Sequence, residues 1–142
     1  MSLSQFREET RAWLEENCPA GARGDGQIPT GSTKIEIQNP DVRIWLDRMA
    51  EKGWTVPTWP KEYGGAGLTT EEFVVLVEEM RRLDARPPLA GMGTSMICPT
   101  LLEMGTEDQK SRHLPTNARG EFAWCQGCLL YTSDAADDYL TV

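Results

Sequence analysis

Apolar residues recur three and four apart along most of this chain, and the pattern changes only near its end. Between Leu3 and Asn17 they fall at Leu3, Phe6, Trp13 and Leu14, with Thr10 filling the gap and charges on the other face. That is the spacing of an amphipathic helix. Cys18-Pro19 stops it, because a residue before proline is pushed out of the α region. Ala20 to Ile37, rich in glycine, threonine and polar residues, predicts a connecting loop. A second helix is predicted from Asp41 to Lys52, with Val42, Trp45, Leu46 and Met49 on one stripe and Gly53 as a left-handed cap.

Gly53–Leu68 reads GWTVPTWPKEYGGAGL. Its two prolines and four glycines exclude a regular helix or a central strand, while its rings can bury large areas, so an ordered, packed loop is expected. Thr69 and Glu72 form a capping-box pattern that opens a third helix, with Phe73, Leu76, Val77, Met80 and Leu83 as its inner face and Pro87-Pro88 as its end. A fourth apolar segment carries Met92, Met96, Ile97, Leu101 and Met104, and Pro99 within it implies a kink or break. Thr106 and Gln109 open a short fifth helix reaching Ala118. Only FAWCQG, residues 122–127, has the texture of a strand.

The 142 residues suffice for one domain, and 39% hydrophobic with 25% charged content predicts a globular fold. A net charge of −8 argues against nucleic acid or an anionic membrane as the main partner. The charged start of the sequence has no apolar core for a secretory signal, so the four cysteines read as reduced thiols in a cytoplasmic setting. The glutamates, among them Glu8, Glu15, Glu71, Glu78 and Glu79, fall on what the pattern marks as solvated helix faces. Arg23-Gly24-Asp25 is the tripeptide of some adhesion ligands but here reads as a solvated turn. YGGAG lacks both the glycine order and the preceding strand of a dinucleotide fold.

Three stretches together carry a family resemblance: GWTVPTWPKEYGGAGLT, EEMRRLDARPPLAGMGTSMICPTLLEMGTEDQKSRHLP and RGEFAWCQG. In order and spacing they resemble the N-terminal part of the acyl-CoA dehydrogenase family. The resemblance implies an all-α fold, the helical N-terminal domain of that family over 1–120, with the first strand of a middle β domain at 121–127. It implies FAD as cofactor, acyl-CoA as substrate and a homo-oligomer. In such enzymes a glutamate removes the α-proton of the thioester and the β-hydride passes to the flavin. The base lies in a C-terminal domain, so no residue here is assigned as catalytic. On matching positions, Gln126 and Gly127 start the flavin-contacting segment, and Met92 and Met96 face the acyl chain. Methionine suits that role, since its unbranched thioether adapts to shape. Plain core filling is the other reading of both.

After Gly127 the sequence departs from the family, which continues with a flavin-binding loop. CLLYTSDAAD, from Cys128, is similar to the translation of a transposase-type sequencing adapter, so 128–142 is expected to be a non-native tail. Two other readings remain: a helical interaction module presenting the aromatic loop, and a thiol or zinc protein using Cys125 and Cys128. A zinc site needs four ligands, and the remaining Cys18, Cys98 and His113 follow no metal spacing, so no metal site is assigned.

Overall fold

The computed structural model describes residues 2–31 and 36–125. Five α-helices carry the architecture: α1 (Leu3–Asn17), α2 (Pro40–Glu51), α3 (Thr70–Arg82), α4 (Cys98–Met104) and α5 (Glu107–Ala118). Their starts follow local chemistry. Ser2 Oγ accepts from Gln5 N–H at α1, and Asn39 caps α2 ahead of Pro40. Both predicted capping boxes form, Thr69 with Glu72 at α3 and Thr106 with Gln109 at α5, each satisfying two otherwise unpaired N–H groups. After α2, Gly53 takes the left-handed conformation (φ 74°). A β-carbon there would stand 2.6 Å from the Gly65 carbonyl carbon, so glycine also permits the loop to fold back.

The core has two parts. Leu14, Trp45, Met49, Trp54 and Leu76 centre the first, where α1, α2 and α3 meet. Val56, Trp59, Cys98, Leu114 and Ala118 form the second, between α4 and α5. The aromatic loop 53–68 therefore joins the two, with Trp54 in one and Trp59 in the other. Each of these large side chains contributes about 1.5–3 kcal/mol by leaving water. Two buried side-chain donors tie distant segments together: Trp45 Nε1 donates to the Arg86 carbonyl at 2.8 Å, and Thr55 Oγ1 to the Ala118 carbonyl at 2.7 Å.

Several expectations need correction. Leu3 lies outside the buried face of α1, which is Phe6, Thr10 and Leu14. On α3 the buried residues are Val75, Leu76 and Glu79, while Phe73 is exposed. That face of α3 meets α1, where Glu79 pairs with Arg7 and Arg11. The helix also ends at Arg82, before the prolines, with Asp84 left-handed (φ 56°) and its carbonyl accepting from Gly24 N–H at 2.8 Å. Arg23-Gly24-Asp25 is no free ligand loop. The carbonyls of all three accept from Arg86 Nη1, and the Arg23 guanidinium is turned in to the Cys18 carbonyl. Among the described residues there is no strand, only an isolated bridge between Arg23 and Ala85. Residues 121–125 carry no regular structure, since a strand needs a partner to pair with. Gln126, Gly127, Cys128 and the rest of the expected tail lie outside the described residues.

Candidate functional site

The predicted pocket residues sit on a break in the helical register. Gly93–Ile97 forms a π-turn, closed by a hydrogen bond from Cys98 N–H to the Gly93 carbonyl five residues back. The sequence explains it. Pro99 has no N–H for the Ser95 carbonyl, and its ring crowds that carbonyl in a normal helix, so the turn widens before α4 begins. The start is held by the Gly91 carbonyl, which accepts from Ser95 N–H, Ser95 Oγ and Thr94 Oγ1 at 3.1, 2.8 and 3.1 Å. Such widened turns occur frequently at functional sites.

Met92 and Met96 are 41% and 47% exposed on this turn. They are not core filling. Gly91, Gly93, Thr94 and Ser95 beside and between them are small, and Ile97 follows Met96. Beside the turn runs the segment after α5. A β-carbon at Gly93 would meet Asn117 Nδ2 at 2.3 Å and Trp124 Cδ1 at 2.7 Å, which places both directly against the turn. One at Gly31 would meet the Phe122 carbonyl oxygen at 2.3 Å, and Ala90 N–H donates to the Pro29 carbonyl. Three pieces of chain, 29–31, 89–97 and 120–124, thus converge. Phe122, half-exposed, adds a third apolar side chain to this junction. His113 packs edge-on to Trp124 with ring centroids 5.5 Å apart. Two depressions of about 580 and 490 Å³ lie elsewhere, and neither is lined by Met92 or Met96. The turn presents an open face.

Glu121, in the converging 120–124 segment, pairs with Arg119 at 2.6 Å, which holds its carboxyl below the usual carboxylate range. Glu79, 2% exposed, was expected on a solvated surface and is instead the centre of an ion cluster. Arg7 and Arg11 from α1 and Arg82 from α3 all donate to it at 2.9–3.0 Å. The Arg11 guanidinium, seconded by Arg82 and Arg7, outweighs burial and holds the Glu79 carboxyl down at about 2. A carboxylate so paired cannot abstract a proton near neutral pH. The signal in the sequence was Glu79 standing three residues after Leu76, on the apolar stripe, with Arg7 and Arg11 one turn apart on α1. Burial pushes the Cys98 thiol up to about 11, and Cys18, Cys98 and Cys125 are free thiols. Among the described residues no group of three His, Cys, Asp or Glu could hold a metal.

Residues 2–121 match the family described as "Acyl-CoA dehydrogenase, N-terminal domain". The chain belongs to the acyl-CoA dehydrogenase family. Acyl-CoA dehydrogenase IpdE1 of Mycobacterium tuberculosis (strain ATCC 25618 / H37Rv) is 34% identical over 128 residues, covering 88% of this chain and 32% of the relative. IpdE1 of Mycolicibacterium smegmatis (strain ATCC 700084 / mc(2)155) is 33% identical, covering 89% of this chain and 32% of the relative. Among solved structures, the Tcur3481-Tcur3483 steroid ACAD G363A variant is similar with TM-score 0.57 and 30% identity, covering 85% of this chain and 30% of that one. The ChsE4-ChsE5 complex from M. tuberculosis shares the fold (TM-score 0.59, 22% identity), covering 89% of this chain and 31% of that one. The chain thus spans about a third of the length of these relatives. Its five helices are those of an acyl-CoA dehydrogenase N-terminal domain. Gln126 and Gly127, matched to the flavin-contacting segment, are not among the described residues.

Proposed function

We propose that this domain forms one wall of the acyl cavity in an FAD-dependent acyl-CoA dehydrogenase, with Met92 and Met96 turned toward the acyl group. The observation that carries the reading is the exposure of both methionines on a π-turn that begins with small residues, within a domain of this family. Two solvent-facing thioethers one turn apart cost apolar exposure that a protein recovers only by covering them. FAD, bound in the complete enzyme, supplies the hydride acceptor; Gln126 and Gly127 are its nearest candidates here. On the family resemblance the base belongs to another part of the enzyme; Glu79, the buried glutamate among the described residues, is held by arginines.

The substrate class we propose is a bulky, ring-bearing acyl-CoA. Two features support it: the small residues Gly93, Thr94 and Ser95 between Met92 and Met96, which leave width for a rigid group, and the likeness to a steroid acyl-CoA dehydrogenase. The same reading has a β domain starting near 121, a non-native tail at 128–142, and assembly with further acyl-CoA dehydrogenase subunits in the cytoplasm, where Cys18 and Cys98 stay thiols. No described helix is long and apolar enough to cross a membrane. The test is anaerobic flavin reduction in the full-length enzyme. A steroid-side-chain acyl-CoA bleaches the flavin faster than a straight-chain one of equal carbon number; equal rates, or no bleaching by either, contradict the proposal.

A further inference from the structure

Arg86 follows α3 and is 9% exposed, and its side-chain hydrogen-bond partners among the described residues are all neutral. Nη1 donates to the carbonyls of Arg23 at 3.2 Å, Gly24 at 3.2 Å and Asp25 at 2.6 Å, and Nη2 donates to that of Gly21. Four carbonyl oxygens turned to one point repel one another, so residues 21–25 keep this shape only while a cation sits among them. Each such charge-assisted bond is roughly twice as strong as a neutral one. The backbone reinforces the side chain. Gly24 N–H donates to the Asp84 carbonyl at 2.8 Å, Arg86 N–H to that of Ala22 at 3.0 Å and Ala90 N–H to that of Pro29 at 2.9 Å. The loop is thereby tied at both ends to the segment between α3 and the π-turn. A β-carbon at Gly26 would stand 2.5 Å from Arg86 Nη1, so the loop closes over the guanidinium where only glycine fits.

We propose that Arg86 is a positioning residue for the face that carries Met92 and Met96. By gathering the carbonyls of residues 21–25 it sets the course of the loop, which reaches the junction at Thr30 and Gly31. There the Thr30 carbonyl oxygen would lie 3.2 Å from a β-carbon at Gly91, and the Phe122 carbonyl stands directly against Gly31. The Gly91 carbonyl is the acceptor from which the π-turn starts, through its bonds from Ser95 and Thr94. Arg86 thus acts through the loop on where the turn and Phe122 stand relative to each other. Its bearing on acyl preference rests on the acyl-wall reading. Lysine is no substitute: an ammonium is a compact point charge, whereas the guanidinium presents a planar fork that serves carbonyls of four residues at once. In the sequence Arg86 reads as a loop charge ahead of two prolines, because partners that are backbone carbonyls leave no mark in the side chains.

The test compares wild type with Arg86→Lys and Arg86→Met in the 142-residue chain labelled with ¹⁵N and with ¹³C at the methionine methyls. In both variants exchange of the Gly24 amide, held by the Asp84 carbonyl, should quicken about tenfold. The amides of Thr30, Gly31 and Gly91 should shift, and the Met92 and Met96 methyls should move while Met104 stays. Gly26→Ala keeps Arg86 but crowds its guanidinium from the loop side. It should produce the same shifts, so the test survives if a variant at 86 folds poorly. Thr30, Gly31 and Gly91 amides that stay put, unmoved Met92 and Met96 methyls, or full rescue by lysine overturns the proposal. Kinetics of the full-length enzyme separate positioning from bulk stability. Arg86→Lys should raise KM for a ring-bearing acyl-CoA several-fold more than for a straight-chain one, with kcat on the straight-chain substrate kept. Equal losses on both substrates mark a merely structural arginine and overturn the proposal. Methyls that move with neither KM changed leave the clamp standing and reject the acyl-wall reading.

Discussion

Arg11 on α1 and Glu79 on α3 are joined by two hydrogen bonds, Nε to Oε2 at 2.9 Å and Nη2 to Oε1 at 3.0 Å, the parallel fork in which a guanidinium fits a carboxylate. Arg7 and Arg82 complete the shell, and Arg82 also reaches Glu15 at 2.5 Å, so the cluster stitches α1 to α3 along their exposed margin. Replacing Glu79 by glutamine keeps the shape but leaves three guanidinium groups crowded without a counter-charge. The expected loss is about 1–3 kcal/mol of folding stability, since Glu79 is buried but its arginine partners are part-exposed. Urea unfolding of the two chains measures it.

The same carboxylate sets an acid limit. Its native value, about 2, lies below the ordinary 4.5, so the folded state binds that proton less readily than the unfolded chain. The stabilisation is complete above the ordinary value and drains away as pH falls through the window from about 4.5 to about 2. Wild type and Glu79→Gln should therefore differ most at neutral pH, and their urea midpoints should converge as the buffer approaches pH 3. A constant gap over that range would show that the ion cluster is not the source.

Gly93→Ala tests the close contact under the π-turn. A methyl at that position meets Asn117 and Trp124 inside contact distance, and backbone or ring must shift to admit it. Overpacking of this kind costs about 1–3 kcal/mol. The melting temperature should fall, with a change in the near-ultraviolet signal of the tryptophans.

Met92→Trp in the full-length enzyme narrows the proposed cavity. Preference should move toward shorter or slimmer acyl groups through a higher KM for ring-bearing substrates, with flavin content unchanged. Steady-state kinetics across an acyl series reads it.

The helices were legible because their signals are local. Capping boxes at Thr69 and Thr106, Pro40 at a helix start and Gly53 at a helix end each act within a few residues, and α2 shows the predicted stripe of Val42, Trp45, Leu46 and Met49. What could not be read depends on the partner helix. Glu79 looks solvated until α1 brings Arg7 and Arg11 to it, and Phe73 looks buried until the face that α3 turns to α1 is known. Pro99 announced a break in the fourth segment but not its form. The π-turn follows from how the chain resolves one missing N–H and one crowded carbonyl. The family was legible from ordered motifs; the chemistry was not, because the chain spans about a third of the length of its relatives.

The most direct check of the acyl-wall reading is a titration of the full-length flavoenzyme, labelled at its methionine methyls, with a steroid-side-chain acyl-CoA under anaerobic conditions. The methyl resonances of Met92 and Met96 should shift in step with flavin bleaching while Met104, the most exposed methionine of α4, does not. Bleached flavin with Met92 and Met96 unmoved would contradict the account.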